Sequence, residues 1–64
     1  METKSMSERL EQYAEDTRAD MSMGQDRATR EQAIRAMRDE PSEVAGDVEC
    51  TAAEVEAWCR EQLA

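Results

Sequence analysis

The chain has no histidine and no phenylalanine, and it contains one tryptophan, one tyrosine and two cysteines. Without histidine it lacks the commonest general base and the commonest metal ligand. Cys50 and Cys59 do not have CxxC spacing, and the sequence contains neither a glycine-rich phosphate loop nor the ligand spacing of a calcium loop. These absences predict a protein that is not an enzyme and that needs no cofactor and no metal.

Long apolar runs are also missing, so the sequence predicts no membrane-spanning segment. The first residues, Met1 to Lys4, contain no apolar signal segment, and we therefore expect a cytoplasmic protein with reduced thiols. Cations are scarce: eight Lys and Arg stand against 16 Asp and Glu, for a net charge of −8. This balance makes free nucleic acid and anionic membranes poor partners and a basic protein surface a good one.

The 64 residues suffice for one small domain with a thin core. Ten Ala and five Met, set against two Gly and one Pro, favour helix over sheet. The expected fold class is all-α, a single domain of three to four helices. Residues 1–24 would form an N-terminal helix and turn, and residues 27–64 the core.

Capping-box pairs predict where three helices begin, because each pair satisfies free amide groups of a first helical turn. The pairs are Ser5 with Glu8, Thr29 with Gln32, and Thr51 with Glu54. Together with apolar spacing they predict helices over about 6–21, from Arg27 or Thr29 to Glu40, and over about 51–63. Pro41, which suits a first helical position, and Gly46, which suits a stop, predict a short helix between the last two.

The N-terminal helix has an apolar stripe at spacings of three and four residues. Its members are Met6, Leu10, Tyr13, Ala14, Thr17 and Met21. The stripe either packs on the core as a fourth helix or pairs with its copy in a homodimer, and we favour the monomer. Trp58 is interpreted as a core anchor in preference to an exposed partner contact. Met6, Met21, Met23 and Met37 are interpreted as core filler in preference to an adaptable binding groove, with exposure left open for Met21 and Met23 because they lie near a turn.

Residues 29–63 resemble the trihelical helix-turn-helix domains of repressors and transposases. The resemblance rests on a small residue in the middle of the second helix, a helix-starting Ser or Thr, and apolar positions around them. The matching residues are Val44, Ala45, Val48, Cys50, Thr51, Val55 and Trp58. Glu49 replaces the usual glycine of the turn, so the turn either takes another conformation or strains a residue that has a side chain.

The surface of this region differs from that of a DNA reader. The positions that would face a DNA groove are Ala52, Ala53, Glu56 and Ala57, and none of these side chains reads base edges well. In size and charge the chain looks like a small acidic phage-type inhibitor, such as an anti-CRISPR protein. We therefore expect a non-enzymatic inhibitor that imitates DNA and binds a basic nucleic-acid-binding protein or ribonucleoprotein. Its candidate contacts are Glu43, Asp47, Glu49, Glu54, Glu56 and Glu61.

Three alternatives remain open at this stage. The resemblance implies a small helix-turn-helix transcriptional regulator, whose nucleic-acid contacts would be Arg27, Arg35, Arg38, Thr51 and Arg60. The chain could instead be an interaction module of a larger complex, with an apolar patch around Met6, Leu10 and Tyr13. Finally, the acidic surface could be an adaptation to habitat, with the arginines compensating charge on neighbouring helices.

Overall fold

The computed structural model describes residues 4–24 and 27–64. They form four helices and no strand: α1 (Met6–Met21), α2 (Arg30–Asp39), α3 (Pro41–Val48) and α4 (Ala52–Leu63). The all-α prediction is confirmed. None of the helices has both the length and the apolar character needed to cross a membrane. The predicted turn at 22–26 includes Gln25 and Asp26, which lie outside the described residues, as do residues 1–3.

The helix starts follow the local caps. Both predicted boxes at Thr29 and Thr51 are formed in full, with side chain and backbone bonded reciprocally. At Ser5 one of the two capping-box hydrogen bonds is formed: the Ser5 hydroxyl accepts from the backbone N–H of Glu8 at 3.2 Å. Because Thr29 is the cap, α2 begins at Arg30, and the alternative start at Arg27 is wrong.

The end of α3 differs from the prediction. Gly46 does not stop this helix, which continues to Val48. Glu49 stops it by taking the left-handed conformation, with φ 61° and ψ 50°. The backbone N–H of Cys50 then reaches back to the Ala45 carbonyl at 3.1 Å, as in a Schellman motif. Of the two options for Glu49, the structure has the strained one, at a cost of about 1–2 kcal/mol for a residue with a Cβ.

Gly46 therefore occupies an exposed helical position that alanine would fill better. A Cβ added at Gly46 meets nothing within 4 Å. We expect Gly46→Ala to raise the free energy of unfolding by roughly 0.8–1 kcal/mol and the melting temperature by about 4–8 °C. Urea denaturation measures the free energy of unfolding and thermal denaturation the melting temperature, both followed by circular dichroism. Ala57→Gly, at an exposed position of α4, is the matched control and should shift both values in the opposite direction. An unchanged melting temperature for Gly46→Ala would contradict the helical assignment.

The core joins all four helices. Leu10 and Ala14 of α1 are fully buried in the same cluster as Ile34 and Val55, so α1 packs on the other three helices within one chain. This is the first of the two arrangements predicted for the N-terminal stripe. Trp58 is 5% exposed, which confirms it as a core anchor. The remaining buried members of the cluster are Met37, Val44, Ala45, Val48 and Cys59.

The apolar stripe of α1 leaves the core at its last turn. Met21 is 42% exposed and Met23 is 82% exposed, so of the two options left open for these methionines near the turn, the structure has exposure. Met6 and Tyr13 are half-buried against the core. Since Leu10 is inaccessible, the apolar patch proposed for an interaction module is largely used inside the monomer.

Candidate functional site: the acidic face of α3 and α4

The predicted contacts to a basic partner lie on the second half of the chain. We call them the acidic face: Glu43 and Asp47 on α3, Glu49 in the turn, and Glu54, Glu56 and Glu61 on α4. All six side chains are exposed. They are therefore accessible to a partner.

Ion pairs do not neutralise this face. Residues 4–24 and 27–64 contain three ion pairs, Arg18–Glu15 at 3.2 Å, Arg30–Glu11 at 2.6 Å and Arg35–Glu31 at 3.0 Å. The acids of all three pairs belong to α1 or α2. In the part of the chain that the structure describes, no carboxylate of the acidic face has a cation within ion-pair distance. The negative charge of α3 and α4 is thus directed to solvent.

Helical geometry separates the α4 members of the face. Glu54 and Glu61 are seven residues apart, about two turns, and so lie on one side of α4. Glu56 lies on the other flank, four residues before Arg60. The exposed Ala53 and Ala57 lie between the two flanks. The outer surface of α4 therefore has acids along both edges, with two alanines and the exposed Arg60 between them.

Glu54 has a structural role in addition to its charge. One carboxylate oxygen accepts from the backbone N–H of Thr51 at 2.9 Å and from the Thr51 hydroxyl at 3.0 Å. The backbone hydrogen bond from Thr51 is the main cause that lowers the pKa of Glu54. Glu54 therefore stays ionised and fixes the start of α4. The Thr51 hydroxyl, a candidate nucleic-acid contact, is occupied by the same cap.

The α3 end of the face forms a crowded acidic cluster around a tyrosine. A hydrogen bond with the Glu40 carboxyl, followed by repulsion from Glu40 and Asp47, raises the pKa of Glu43. The pKa of Tyr13 is raised first by burial and then by the negative charges of Asp47, Glu43 and Glu40. A carboxyl whose pKa is raised on folding favours the folded state less when it is ionised. The crowding at Glu43 thus destabilises the fold at neutral pH and is relieved as the pH falls through the raised pKa.

Glu40 and Tyr13 are two residues of this cluster that were not predicted from the sequence. The spacing of Glu40, Glu43 and Asp47, three and four residues apart, was a visible signal, because it places three acids on one side of a helix. It was obscured by Pro41, which separates Glu40 from α3 in the sequence. Tyr13 is brought to the cluster by the packing of α1, which no local pattern indicates.

Arg30 is committed to the fold rather than to a ligand. Its guanidinium makes two hydrogen bonds of 2.6 Å to Glu11 and one of 2.8 Å to Gln62, and it lies 5.9 Å from the centre of the Trp58 ring. The hydrogen bond to Arg30 lowers the pKa of Glu11. Arg30 therefore ties α2 to α1 and α4.

Arg9 is a second structural cation that the sequence analysis missed. It donates to the Val48 carbonyl at 3.1 Å and to the Lys4 carbonyl at 2.8 Å. Val48 is the last residue of α3, where free carbonyls and the helix dipole favour a cation. Arg9 thus connects α1 to the turn that contains Glu49.

The cations considered for nucleic-acid binding are all exposed: Arg27, Arg35, Arg38 and Arg60. Arg35 is paired with Glu31, four residues before it on α2. Burial raises the pKa of the Cys59 thiol. The charge of Arg38 lowers this pKa, and the charge of Glu56 raises it. Arg38 on α2 and Glu56 on α4 are therefore both near Cys59, and they are not among the ion pairs of the described residues.

Two shallow grooves flank Tyr13, of about 250 Å³ and about 100 Å³. The larger lies between α1 and α3 and includes Lys4, Arg9 and Asp47 in its lining. The smaller lies between α1, α2 and α3 and includes Met37, Glu40 and Val44. Within residues 4–24 and 27–64, no three His, Cys, Asp or Glu side chains come together as metal ligands.

The sequence matches no protein-family model, and neither a curated protein nor a solved structure gives a significant match.

Proposed function

We propose that this protein is a non-enzymatic inhibitor that occupies the basic nucleic-acid-binding surface of a partner protein. The observation that carries the proposal is the charge arrangement of α3 and α4. Six exposed carboxylates lie there without a cation at ion-pair distance in the described residues, while the paired acids are on α1 and α2. Residues 4–24 and 27–39 contain seven acids and seven Lys and Arg, whereas residues 40–64 contain seven acids and one cation, Arg60, so the excess negative charge is concentrated on the second half of the chain.

The charge of the acidic face suits it to bind a basic partner surface. A partner that binds nucleic acid carries a basic channel, and a fixed set of carboxylates is attracted by the same field as phosphates. Glu54 and Glu61 are separated by about 10 Å of helix rise, close to three phosphate steps of about 3.4 Å along one strand. The caps at Thr51 and Glu49 hold α3 and α4 in place, so little entropy is lost when the face docks.

The class of partner follows from this chemistry. A basic nucleic-acid-binding protein or a ribonucleoprotein is the surface that a small acidic helical domain complements best. The likeness in size and charge to phage-type inhibitors, anti-CRISPR proteins among them, supports the same class. In this proposal the protein acts in the cytoplasm, where such partners handle DNA and RNA, and it acts as a monomer because the stripe of α1 is used internally.

A helix-turn-helix regulator is the second proposal, because residues 29–63 resemble that family. It would use Arg27, Arg35, Arg38, Thr51 and Arg60 on the nucleic acid. We rank it second because the Thr51 hydroxyl is engaged in the cap and Arg35 in an ion pair, and because Ala53 and Ala57 offer no hydrogen bond to a base. The apolar interaction module ranks third, since Leu10 is buried.

The experiment that tests the first proposal is capture from a host lysate. The protein is immobilised through its C-terminus, lysate is passed over it at moderate salt, and duplex DNA or RNA is then added as competitor. We expect the column to retain a basic nucleic-acid-binding protein or ribonucleoprotein and the nucleic acid to release it, because both ligands occupy one surface.

Two results would contradict this expectation. Retention of a partner that neither DNA nor RNA displaces would argue for an interaction module. Recovery of DNA itself, lost steeply as salt rises, would favour the regulator, since phosphate binding depends on counterion release. Nuclease treatment of the lysate before capture is the control, because it removes partners that are held only through nucleic acid.

A further inference from the structure

The smaller groove beside Tyr13 has walls and a rim of different chemistry. Its lining is Tyr13, Thr17, Ala36, Met37, Glu40 and Val44. Met37 and Val44 are buried core residues that form an apolar floor, and Tyr13 contributes an aromatic ring. Glu40 is the one charged residue in the lining. The groove is therefore apolar inside and negative at its edge.

More negative charge lies close to this edge. Glu43 follows Glu40 by three residues at the start of α3, so the two carboxylates lie on one side of the helix, and the proximity of Glu40 raises the pKa of Glu43. None of the three ion pairs in the described residues involves Glu40 or Glu43. The edge of the groove thus has the Glu40 carboxylate with that of Glu43 beside it, and a bound cation would relieve their repulsion.

An arginine side chain combines the features that this groove complements. Its aliphatic stem covers apolar surface while its charged head stays at the edge. Its planar guanidinium packs on aromatic rings and forms bidentate hydrogen bonds with carboxylates. The volume of about 100 Å³ suits one side chain rather than a larger ligand.

The groove on the other face of Tyr13 does not suit a cation. Lys4 and Arg9 contribute to its lining together with Asp16 and Asp47. Two positive and two negative residues leave no excess of negative charge to attract arginine. The charge pattern therefore distinguishes the α1–α2–α3 groove from the α1–α3 groove.

We propose that the groove formed by Tyr13, Met37 and Val44, with Glu40 in its lining and Glu43 beside Glu40, receives an arginine side chain of the basic partner. This inference rests on the proposed function for the source of the arginine. It extends the partner-binding surface beyond the acidic face, because Tyr13 and Glu40 take part.

The test uses N-acetyl-arginine N-methylamide as the probe and nuclear magnetic resonance of the full chain as the readout. We expect saturable shifts of the Tyr13 ring and Val44 methyl signals. N-acetyl-citrulline N-methylamide, which has nearly the same shape without the charge, should produce much smaller shifts. Equal shifts with both compounds, or no saturable shift with the arginine compound, would overturn the proposal.

Two double variants test whether the arginine compound binds at the rim of this groove. Glu40→Gln with Glu43→Gln removes two charges at the rim, and Glu8→Gln with Asp20→Asn removes two charges from exposed residues of α1 that belong neither to the rim nor to the acidic face. We expect the dissociation constant of the arginine compound to rise about fivefold in the first variant, a typical effect for exposed charge pairs, and to stay unchanged in the second. The rim variant should stay folded, because it relieves repulsion. Equal weakening in both variants would overturn the proposal, since it would indicate general attraction to negative charge.

The outcome is separable from that of the proposed function. If the probe binds at Tyr13 but no lysate partner is displaced by nucleic acid, the arginine site stands and the inhibitor proposal fails. If a partner is captured and displaced while the probe leaves Tyr13 and Val44 unshifted, the inhibitor proposal stands and the arginine site fails.

Discussion

Replacing Glu43, Asp47 and Glu61 with lysine is expected to weaken binding of the captured partner about 100-fold. Each reversal replaces an attraction to the basic surface by a repulsion and weakens binding by about 1 kcal/mol. Three reversals therefore weaken binding by about 3 kcal/mol, which corresponds to about 100-fold in the dissociation constant. Glu54 is left unchanged, because its carboxylate caps α4 and its loss would disturb the fold. Binding is measured by surface plasmon resonance at two salt concentrations, since screening should reduce the difference at the higher one.

The matched control reverses three exposed acids that lie outside the acidic face and outside the three ion pairs, Glu8, Asp20 and Asp39. This variant has the same net charge as the first, so long-range attraction alone would weaken both equally. We expect the control to bind nearly as well as the natural sequence. Equal loss in the two variants would mean that net charge, rather than the α3–α4 surface, attracts the partner. Retained binding in the first variant, with the fold intact by circular dichroism, would rule out the acidic face as the contact.

Leu10→Ala is expected to destabilise the whole domain by about 3 kcal/mol, because Leu10 is fully buried in the core shared with α2 and α4. A chain of this length has a total stability of roughly 3–9 kcal/mol, so the variant would lose a large part of it. The melting temperature should fall by roughly 12–24 °C. Urea denaturation followed by circular dichroism and by Trp58 fluorescence measures the loss, and both probes should report the same transition.

Met21→Ala is the control on the same helix, because the Met21 side chain is 42% exposed. Its expected effect is within about 0.5 kcal/mol. Protein concentration is the second control: a monomer with α1 packed internally has a transition that does not depend on concentration, whereas a dimer through α1 has one that does. A small effect of Leu10→Ala, with the Trp58 transition unchanged, would show that α1 is not part of the cooperative unit.

The helix starts and the fold class could be predicted from sequence because they depend on neighbouring residues. Thr29 and Thr51 each meet a partner three residues later, and these reciprocal bonds form in the structure. The position of Trp58 in the core followed from helical spacing with Val55 and Cys59. The likeness of residues 29–63 to helix-turn-helix domains remains a prediction about family, although the short turn between α3 and α4 has the conformation at Glu49 that such a turn needs.

The composition and order of the residues determined an all-α chain, its caps and an excess of acids in its second half. Only the tertiary structure decided that α3 runs past Gly46 to Val48, that α1 completes the core, and that Arg30 joins Glu11 to Trp58. It also decided that Tyr13 shares one groove with Glu40 and the other with Asp47. The physical reason is the sequence separation of the interacting residues. Caps and helical spacing depend on residues a few positions apart, whereas packing and surface charge clusters join residues that lie tens of positions apart.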